Sequence, residues 1–469
     1  MEVIEGTKKR RISHEGYFYT QDSARGDTIY MKCSQKTSKS CKGRAVVENG
    51  VVTPTKSHSH APNPSIIERA KARAEMKKRA METVEPISVI CVEAEMGMSR
   101  AARTDMPKAA DSRRNVRRYR TQAHGTPAQP LTADELELRE DDCFTIGRPG
   151  CPPENFLIYD SRDEPGPRML IFASDWGLRN LSQSPHWGAD GTFQVAPGIF
   201  TQLYTVHATV HDRIVPCAYA LLPNKSRNTY VRMFLALRER LLLRYPGTDL
   251  TGTVITDLEM AALQAFEEVF PEKERSLCFF HFSQAVWRKT QELGLARLYA
   301  TDADFALMVR TIPALAFLPA AEVPDSFMFL LGILPPETLP LTAYFNATYV
   351  GDADEGRRAT FKPELWNQHD RTAAGLARTT NNIEGWHRRF RGVVDCASPN
   401  IYRLLQRLRQ EEDHWRGEID RVVAGALPRN QKPQWAKLAE RLTRLVDRRD
   451  GGHLTTLEFL RAVAHNYTM

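Results

Sequence analysis

The sequence predicts an α/β protein that is preceded by a small all-β module and a helical, basic segment. Three observations lead to this prediction. Short β-rich runs separated by turn-forming residues fill positions 14–63. Helix-forming residues of mixed charge dominate positions 65–122. From residue 155 onward, apolar strand-like runs alternate with helical patterns, which is typical of a mixed sheet covered by helices.

The composition is typical of a globular protein with about two to four domains. The chain has 469 residues, of which 42% are hydrophobic and 26% are charged. No apolar run reaches about 18 residues, so we expect no transmembrane helix. The N-terminal residues lack the apolar region of a secretory signal, so secretion is not expected either. Eight scattered cysteines fit a reducing compartment.

Positive charge is concentrated in the N-terminal quarter of the chain. Residues 1–130 contain 25 Lys and Arg against 14 Asp and Glu, whereas the remainder contains 39 against 43. A basic segment of this kind indicates a polyanionic partner, with nucleic acid as the first choice. The alternative interpretation is a solvated basic tail without a partner.

The all-β module has too few apolar residues to fold without additional stabilisation. Its runs GYFYTQ, DTIYMKC, CKGRAVV and GVVTPTK predict an antiparallel meander of about four strands. Cys33 and Cys41 flank one connection, and His58 and His60 follow the last strand. Two thiolates and two imidazoles make a closed tetrahedral zinc site. The alternative is two free cysteines and two loop histidines.

This module resembles the FLYWCH zinc fingers. The resemblance covers residues 10–63 and rests on the order Tyr17-Phe18-Tyr19, Tyr30, Cys33, Cys41, Gly43-Arg44-Ala45 and His58-x-His60. The family usually has Trp where this chain has Tyr30. The resemblance implies that a zinc-dependent β-sheet binds DNA. The candidate phosphate contacts are the basic residues Lys32, Lys36, Lys39, Lys42 and Arg44.

The next segment, residues 64–130, is predicted to be helical and basic. It contains SIIERAKARAEMKKRAMET and ends in DSRRNVRRYRTQ. Short helices with a basic end fit a helix-turn-helix-like DNA-binding element, and they fit a solvated connector equally well. Turn-forming and acidic residues then predict a linker over 131–154.

Strands and helices alternate over 155–295, the first part of the predicted core. The runs HWGADGTFQVAP, FTQLYTVHATVHD and IVPCAYALLPN predict three strands joined by short loops. The helical run TYVRMFLALRERLLLRY follows. Two further strands, TGTVITD and RSLCFFH, are each followed by a helix. Three antiparallel strands followed by helix-linked strands describe an RNase H-like sheet.

This topology is expected to bring two aspartates together. Asp190 lies on the first strand of the core, between Gly188 and Gly191, and Asp257 ends the fourth strand. The first and fourth strands of such a sheet can lie side by side, so the two carboxylates are expected to face one another. Close carboxylates do not both ionise cheaply without a cation, and Mg²⁺ prefers oxygen ligands. The glycines allow backbone or substrate to come close.

A third carboxylate is predicted on a later helix, in the run TTNNIEGWHRRF. Thr380 or Asn381 can cap this helix, which puts Glu384 in its first turn. His387 and Arg388 then share its face. The alternative is an exposed ion pair between Glu384 and Arg388. Base stacking and phosphate contacts are expected from Trp386, His387, Arg388, Arg389 and Arg391.

Four ordered motifs, GADGTF, ITDLEMAA, CFFH and NNIEGWHRR, resemble the transposase domain of Mutator-like elements, the MULE transposases. The resemblance spans roughly residues 180–420 and implies that Asp190, Asp257 and Glu384 form a DDE triad. It also marks the CxxH motif, Cys278 and His281, which would organise the DNA ends or the site. A half-buried cysteine and a strand-end histidine are the alternative.

The rest of the chain is predicted to be mainly helical. Residues 296–378 are apolar in patches and are expected to form a helical insertion before the last carboxylate. Residues 379–469 contain the last catalytic helix and amphipathic helices that close the fold or pair two copies of the chain. His207 and His211 are predicted in a strand and a turn, so a helical i,i+4 metal site is not expected there.

These observations together predict a DDE-type DNA transposase that cleaves phosphodiester bonds at element ends and joins the 3′-OH ends to target DNA. The expected cofactors are structural Zn²⁺ in the N-terminal module and catalytic Mg²⁺ or Mn²⁺. The expected partners are double-stranded DNA, as terminal repeats and as target, and further copies of the chain. The run KKRR at 8–11 suggests the nucleus. The alternative is a domesticated, catalytically silent DNA-binding transcription regulator.

Overall fold

A computed structural model shows two compact units, Met1–Ala128 and Gln129–Met469. The residues it describes are 2–4, 10–83, 85, 87–123, 127, 129–148, 150–351, 356–426 and 433–469. Lys8 and Lys9 of the basic run therefore lie outside the described residues. No helix in the described part of the chain is both long enough and apolar enough to cross a bilayer.

The first unit begins with an antiparallel sheet of six strands in chain order. The strands are β1 (Glu2–Ile4), β2 (Arg11–His14), β3 (Tyr17–Arg25), β4 (Thr28–Cys33), β5 (Arg44–Glu48) and β6 (Val51–Lys56). Asn49 and Gly50, with φ of 49° and 79°, form the tight turn between the last two strands, because both positions need a left-handed backbone. The sequence predicts β3 to β6, and the structure adds the first two strands.

Four helices complete the first unit: α1 (Pro64–Glu82), α2 (Ile87–Met96), α3 (Arg100–Thr104) and α4 (Ala109–Ala123). Pro64 stands at the start of α1, where its fixed φ suits a helix and its missing N–H costs nothing. Met76, Ile90 and Val116 share a small apolar core among these helices. Ile67 of α1 also packs against Phe18 of the sheet.

The second unit is built on a mixed sheet of seven strands. They are β7 (Leu157–Asp160), β8 (Leu170–Phe172), β9 (His186–Thr192), β10 (Gln202–Val210), β11 (Arg213–Leu222), β12 (Gly252–Thr256) and β13 (Lys273–Leu277). Their order across the sheet is β13-β12-β9-β10-β11-β8-β7. The strands β9, β10 and β11 are antiparallel neighbours, whereas β12 runs parallel to β9 and β13 parallel to β12. The predicted strand order is therefore present, with an extra hairpin at one edge.

Helices α5 (Asp175–Gln183), α6 (Arg227–Arg244), α7 (Met260–Val269) and α8 (Phe279–Glu292) accompany this sheet. Trp187 of β9, Phe234 of α6 and Phe266 of α7 belong to one buried cluster. Their rings meet edge to face, with centroids 6.4 Å apart for Trp187 and Phe266 and 4.7 Å apart for Phe234 and Phe266. This core fixes the strands that carry the two aspartates.

The predicted insertion is helical in the structure. Its helices are α9 (Ala296–Thr301), α10 (Ala303–Ala314), α11 (Val323–Leu331), α12 (Leu339–Phe345), α13 (Pro363–Trp366) and α14 (His369–Ala373). The C-terminal helices after the insertion are α15 (Asn381–Val394), α16 (Ile401–Val423), α17 (Pro433–Asp450) and α18 (Thr456–Ala464). Phe327 and Trp366 of the insertion share one buried cluster with Phe282 of α8 and Phe459 of α18. The insertion and the C-terminal helices therefore fold together.

Two predictions made from the sequence differ from the structure. The segment 131–154 is not a free linker, because Leu136 is fully buried and the Arg168 guanidinium donates to the carbonyls of Ala133 and Leu136. In addition, β13 ends at Leu277, and Cys278 is the N-cap of α8. His281 thus lies in the first turn of a helix rather than at the end of a strand.

Candidate zinc and catalytic sites

Cys33, Cys41, His58 and His60 converge at one end of the N-terminal sheet. Their ligand atoms all lie within 4.8 Å of one another. Cys33 Sγ is 3.2 Å from His60 Nε2, and Cys41 Sγ is 3.4 Å from His58 Nδ1. Two sulfurs and two ring nitrogens at these separations fit a tetrahedral zinc ion. The predicted ligand set is therefore brought together.

The ring nitrogens that face away from the cluster also have partners. His58 Nε2 lies 2.8 Å from the Tyr19 hydroxyl, and His60 Nδ1 lies 2.8 Å from the Ala61 carbonyl oxygen. The Tyr17 ring stacks on His58 with centroids 3.8 Å apart. Such outer contacts fix the tautomer and the orientation of a metal-binding histidine. Tyr17 and Tyr19 belong to the sequence motif of the zinc finger, but their contacts with His58 appear only in three dimensions.

The two thiols differ in their surroundings. Burial raises the pKa of Cys33. Burial acts in the same direction on Cys41, but hydrogen bonds from Ser59, Gly43 and His58 outweigh it and lower its pKa to about 6. Backbone N–H donors of this kind stabilise a thiolate, which is the form that binds zinc.

Gly43 leaves no space for a side chain beside the zinc cluster. A Cβ atom at this position would lie 2.6 Å from His58 Nδ1. We expect Gly43→Ala to displace His58 and to lower zinc affinity about 10- to 100-fold, the usual cost of disturbing the support of a metal ligand. Competition with a chromophoric chelator measures this. Gly97→Ala is the control, because its Cβ would meet nothing within 4 Å; equal affinity of both variants would contradict the prediction.

Basic side chains lie around the zinc cluster. Lys36, Lys39 and Lys42 are exposed, and Arg44 is half-buried. Lys32 lies 2.5 Å from Asp22, so part of its charge is compensated. The predicted phosphate contacts therefore come from short connections and strand ends near Cys33 and Cys41.

The register of the second sheet places Asp257 beside Asp190. Ile255 of β12 pairs with Gly188 of β9 in parallel. Continuing this register by two residues brings Asp257 opposite Asp190, on the same side of both strands. Neighbouring strands are about 4.8 Å apart. The expected approach of the two carboxylates is thus a consequence of strand order and direction.

The electrostatics of Asp257 reflect this proximity. Burial, the charge of Asp190 and the charge of Glu259 together raise the pKa of Asp257 to about 6. The Glu259 N–H donates to Asp257 Oδ1 at 3.2 Å, and the Gly191 N–H donates to Asp190 Oδ1 at 2.8 Å. A buried pair of like charges favours a bound cation or a proton.

Glu384 lies in the first turn of α15, as the motif predicts. Gly188 allows this helix to approach β9, because a Cβ atom there would lie 2.6 Å from Ile383 Cδ1. Glu384 Oε1 is 3.1 Å from His281 Nε2. This contact lowers the pKa of Glu384. Burial disfavours the charged form of His281, but Cys278 and Glu384 outweigh it and raise the pKa of His281 to about 10.

The CxxH motif is thereby linked to the third carboxylate. Cys278 is fully buried, and its sulfur accepts a hydrogen bond from the Thr380 backbone N–H at 3.2 Å. The Phe279 N–H donates to the Arg378 carbonyl at 2.9 Å. The start of α8 therefore holds the segment that leads into α15.

A chain of buried polar groups, which no sequence pattern predicts, lies behind Asp190. Asp190 Oδ2 is 3.2 Å from His387 Nδ1. His387 Nε2 is 3.2 Å from Thr205 Oγ1, which is 3.0 Å from His207 Nε2. Thr205 and His207 lie on β10 and are fully buried. His387 thus orients the carboxylate of Asp190 rather than facing solvent.

The other candidate DNA contacts on α15 are divided between core and surface. Trp386 is 5% exposed, and its indole N–H donates to Glu411 at 2.7 Å, so it presents no stacking face here. Arg388, Arg389 and Arg391 are exposed. Arg389 also pairs with Glu411, and Arg391 contacts Gln194.

The three carboxylates are not gathered as tightly as the zinc ligands. Among the described residues, only the zinc cluster has three or more His, Cys, Asp or Glu ligand atoms that all approach within 4.8 Å. Asp190 and Asp257 are neighbours, whereas Glu384 pairs with His281 from the adjacent helix. The donors are all oxygens, and the net negative charge around Asp257 favours a hard divalent cation, so the residues fit magnesium or manganese.

Comparison with known proteins matches two segments of the chain. The MULE transposase domain matches residues 186–285, a range that contains Asp190, Asp257, Cys278 and His281 and ends before Glu384. The FLYWCH zinc finger domain matches residues 4–60, which include the four zinc ligands. The chain therefore carries a FLYWCH zinc finger domain followed by a MULE transposase domain, as its motifs predict.

Two curated relatives are similar to a short part of the chain. The FLYWCH-type zinc finger-containing protein 1 of Mus musculus is 37% identical over 62 residues, which are 13% of this chain and 9% of that protein. Its Homo sapiens counterpart is 33% identical over 72 residues, 15% of this chain and 10% of that protein. The chain thus spans about a tenth of the length of these relatives.

Proposed function

We propose that the chain is a DDE-type DNA transposase with an RNase H-like catalytic core. The observation that carries the proposal is the position of Asp257, directly after β12, beside Asp190 of the neighbouring parallel strand β9, with the pKa of Asp257 raised to about 6. Close carboxylates with a perturbed pKa are a frequent mark of a functional site. The match to the MULE transposase domain supports the same class of chemistry.

Asp190, Asp257 and Glu384 are the residues that would hold the catalytic Mg²⁺ or Mn²⁺. Such ions, when bound, lower the pKa of water and stabilise charge on a phosphodiester under attack. His387 orients Asp190, and His281 keeps Glu384 ionised beside the site. The exposed Arg388 and Arg391 lie on the same helix as Glu384 and suit contacts to DNA phosphates.

The zinc finger would supply DNA binding. Its exposed lysines lie in the connection that carries the zinc-ligand cysteines, a position that suits contact with phosphates. In this proposal the module recognises terminal repeats of element DNA, two copies of the chain hold two DNA ends, and the protein works in the nucleus. The basic helices of residues 64–123 contribute further positive charge.

A second candidate is a DNA-binding regulator that keeps the fold without the chemistry. The contact between Glu384 and His281 favours this candidate. Because Glu384 pairs with the histidine, the three carboxylates do not form a compact metal-binding cluster among the described residues. The curated relatives are compatible with it, because they are named for a FLYWCH-type zinc finger and their similarity covers no more than 15% of this chain.

Strand cleavage with different divalent ions tests the proposal. We expect the zinc-loaded full chain to nick or cleave DNA that carries element ends in Mg²⁺ or Mn²⁺, and to join the 3′-OH ends to a target plasmid. Ca²⁺ should support binding with much less cleavage, because its looser coordination suits inline phosphoryl chemistry poorly. Tight DNA binding without cleavage in any of these ions would favour the regulator.

A further inference from the structure

An exposed aromatic ring stands directly after the strand that carries Asp190. Phe193 is 48% exposed, whereas Val195, Ala196 and Phe200 of the same loop are 1%, 3% and 6% exposed. The loop therefore buries most of its other apolar side chains, with Ile199 half-buried, and leaves this one in solvent. Exposure of a phenyl ring forgoes the free energy of burial, so a ligand or partner that covers it is favoured.

A lysine is held against this ring. Lys225 Nζ lies 4.1 Å from the centroid of Phe193. The same ammonium is 3.0 Å from Glu259 Oε2, and the Tyr230 hydroxyl donates to the other oxygen of Glu259 at 2.8 Å. Lys225 is thus anchored by a carboxylate that is itself fixed, and 41% of its side chain is exposed.

The ring and the lysine lie at the catalytic edge of the sheet. Phe193 follows Asp190 by three residues, at most about 10 Å along an extended chain. Glu259 follows Asp257 by two residues and contributes to the raised pKa of that aspartate. Stacked nucleotides advance about 3.4 Å along each DNA strand, so Phe193 lies within roughly three base steps of Asp190.

We propose that Phe193 and Lys225 form a subsite for one nucleotide of the DNA strand that enters the catalytic edge. A nucleobase stacks on the exposed part of the phenyl ring, and the Lys225 ammonium contacts a neighbouring phosphate. This subsite rests on the proposed function, in which DNA is the substrate. It adds to that function a binding site for a base that is splayed out of the helix. Aromatic stacking with an adjacent cation suits single-stranded or unpaired nucleotides, because every base offers a π-face.

Charge favours nucleic acid over a protein partner at this position. The loop that carries Phe193 also contacts Arg391 through Gln194, and Arg391 is exposed. Lys225 therefore lies against the ring, and Arg391 contacts the residue next to it, beside a site whose proposed substrate is a polyanion. A hydrophobic protein surface would have to desolvate both cations, which is costly.

Photochemical crosslinking tests the subsite in the full zinc-loaded chain. The probe is a single-stranded oligonucleotide that contains 5-iodouracil, mixed with the protein in Ca²⁺ so that binding does not require cleavage. We expect mass spectrometry to find a crosslink at Phe193, and anisotropy to show about tenfold weaker binding for Phe193→Ala, the effect of losing one stacked base. Phe193→Trp should retain binding.

Phe329→Ala is the matched control, because Phe329 is also 48% exposed and lies on α11. Crosslinks confined to other peptides, or equal binding by wild type and Phe193→Ala, would overturn the subsite. A drop in self-association with unchanged DNA binding would overturn it as well and would mark a protein interface. If DNA is cleaved normally without a Phe193 crosslink, only the subsite fails; if Phe193 crosslinks without any cleavage, the subsite stands and the transposase proposal fails.

Discussion

Asp257→Asn is expected to abolish metal-dependent DNA cleavage, with a loss of at least about a thousandfold. Asp257 accepts a hydrogen bond from the Glu259 N–H at 3.2 Å. Asparagine has the same shape and keeps a side-chain oxygen that can accept this hydrogen bond. It removes the negative charge that a divalent ion needs. Gel-based cleavage of labelled DNA in Mg²⁺ and in Mn²⁺ measures the loss.

The same substitution should leave the metal-free fold intact or make it more stable. The pKa of Asp257 is raised from 3.8 to about 6 in the folded protein, so its ionisation opposes folding as the pH rises through this range. At pH 7, removing that charge should stabilise the protein by on the order of 1–3 kcal/mol. Differential scanning calorimetry of the metal-free protein at pH 7 checks this.

Asp249→Asn provides the matched control for Asp257. Asp249 is an exposed aspartate before β12, and it accepts a hydrogen bond from the Thr251 N–H at 2.9 Å. Its substitution changes the net charge by the same amount, and we expect cleavage to continue. Comparable cleavage by Asp257→Asn and by wild type would contradict a catalytic role for Asp257.

Removal of zinc should unfold the N-terminal sheet and leave the second unit folded. The apolar core of the sheet is small, with Ile12, Tyr19, Met31, Ala45, Val47 and Val52 as its buried members. Structural zinc contributes about 10–16 kcal/mol in comparable sites, which is as large as the whole stability of a typical domain. Hydrogen exchange with and without chelator should show loss of protection confined to the N-terminal strands, together with loss of DNA affinity.

Cys41→Ser separates zinc binding from unspecific effects of chelation. We expect this variant to lose zinc and sheet protection without any chelator. Cys151→Ser should behave like wild type, because Cys151 is exposed and lies far along the chain from the ligands. Full protection of β3 to β6 in Cys41→Ser would show that the ligand assignment is wrong.

The elements predicted best were those fixed by local pattern and strand direction. The four later strands of the zinc module follow β-rich runs bounded by turn residues. The approach of Asp190 and Asp257 follows from two parallel strands that both lead to the same edge, once the order of the strands is known. The residue pattern around Glu384 predicts a first-turn carboxylate, and α15 begins at Asn381. Thr380 occupies the predicted N-cap position, but its side chain makes no capping hydrogen bond.

The features that escaped sequence reasoning depend on contacts between distant segments. The pairing of Glu384 with His281 joins residues separated by the whole insertion. The link from Asp190 through His387 and Thr205 to His207 needs three separate elements to pack together. Residues 131–154 have a loop-like composition. Nevertheless, the guanidinium of Arg168, just before β8, donates hydrogen bonds to the carbonyls of Ala133 and Leu136. Local propensity carries no information about such partners.

Anomalous diffraction from Mn²⁺-soaked crystals of the full chain is the most direct measurement of the central claim. We predict Mn²⁺ density bound by carboxylate oxygens of Asp190 and Asp257, with Glu384 in contact with an ion after its release from His281. In crystals of Asp257→Asn we expect this Mn²⁺ density to be lost and the zinc signal to remain unchanged. Manganese sites that avoid both aspartates, in crystals whose catalytic edge is open to solvent, would contradict a metal-dependent nuclease centre.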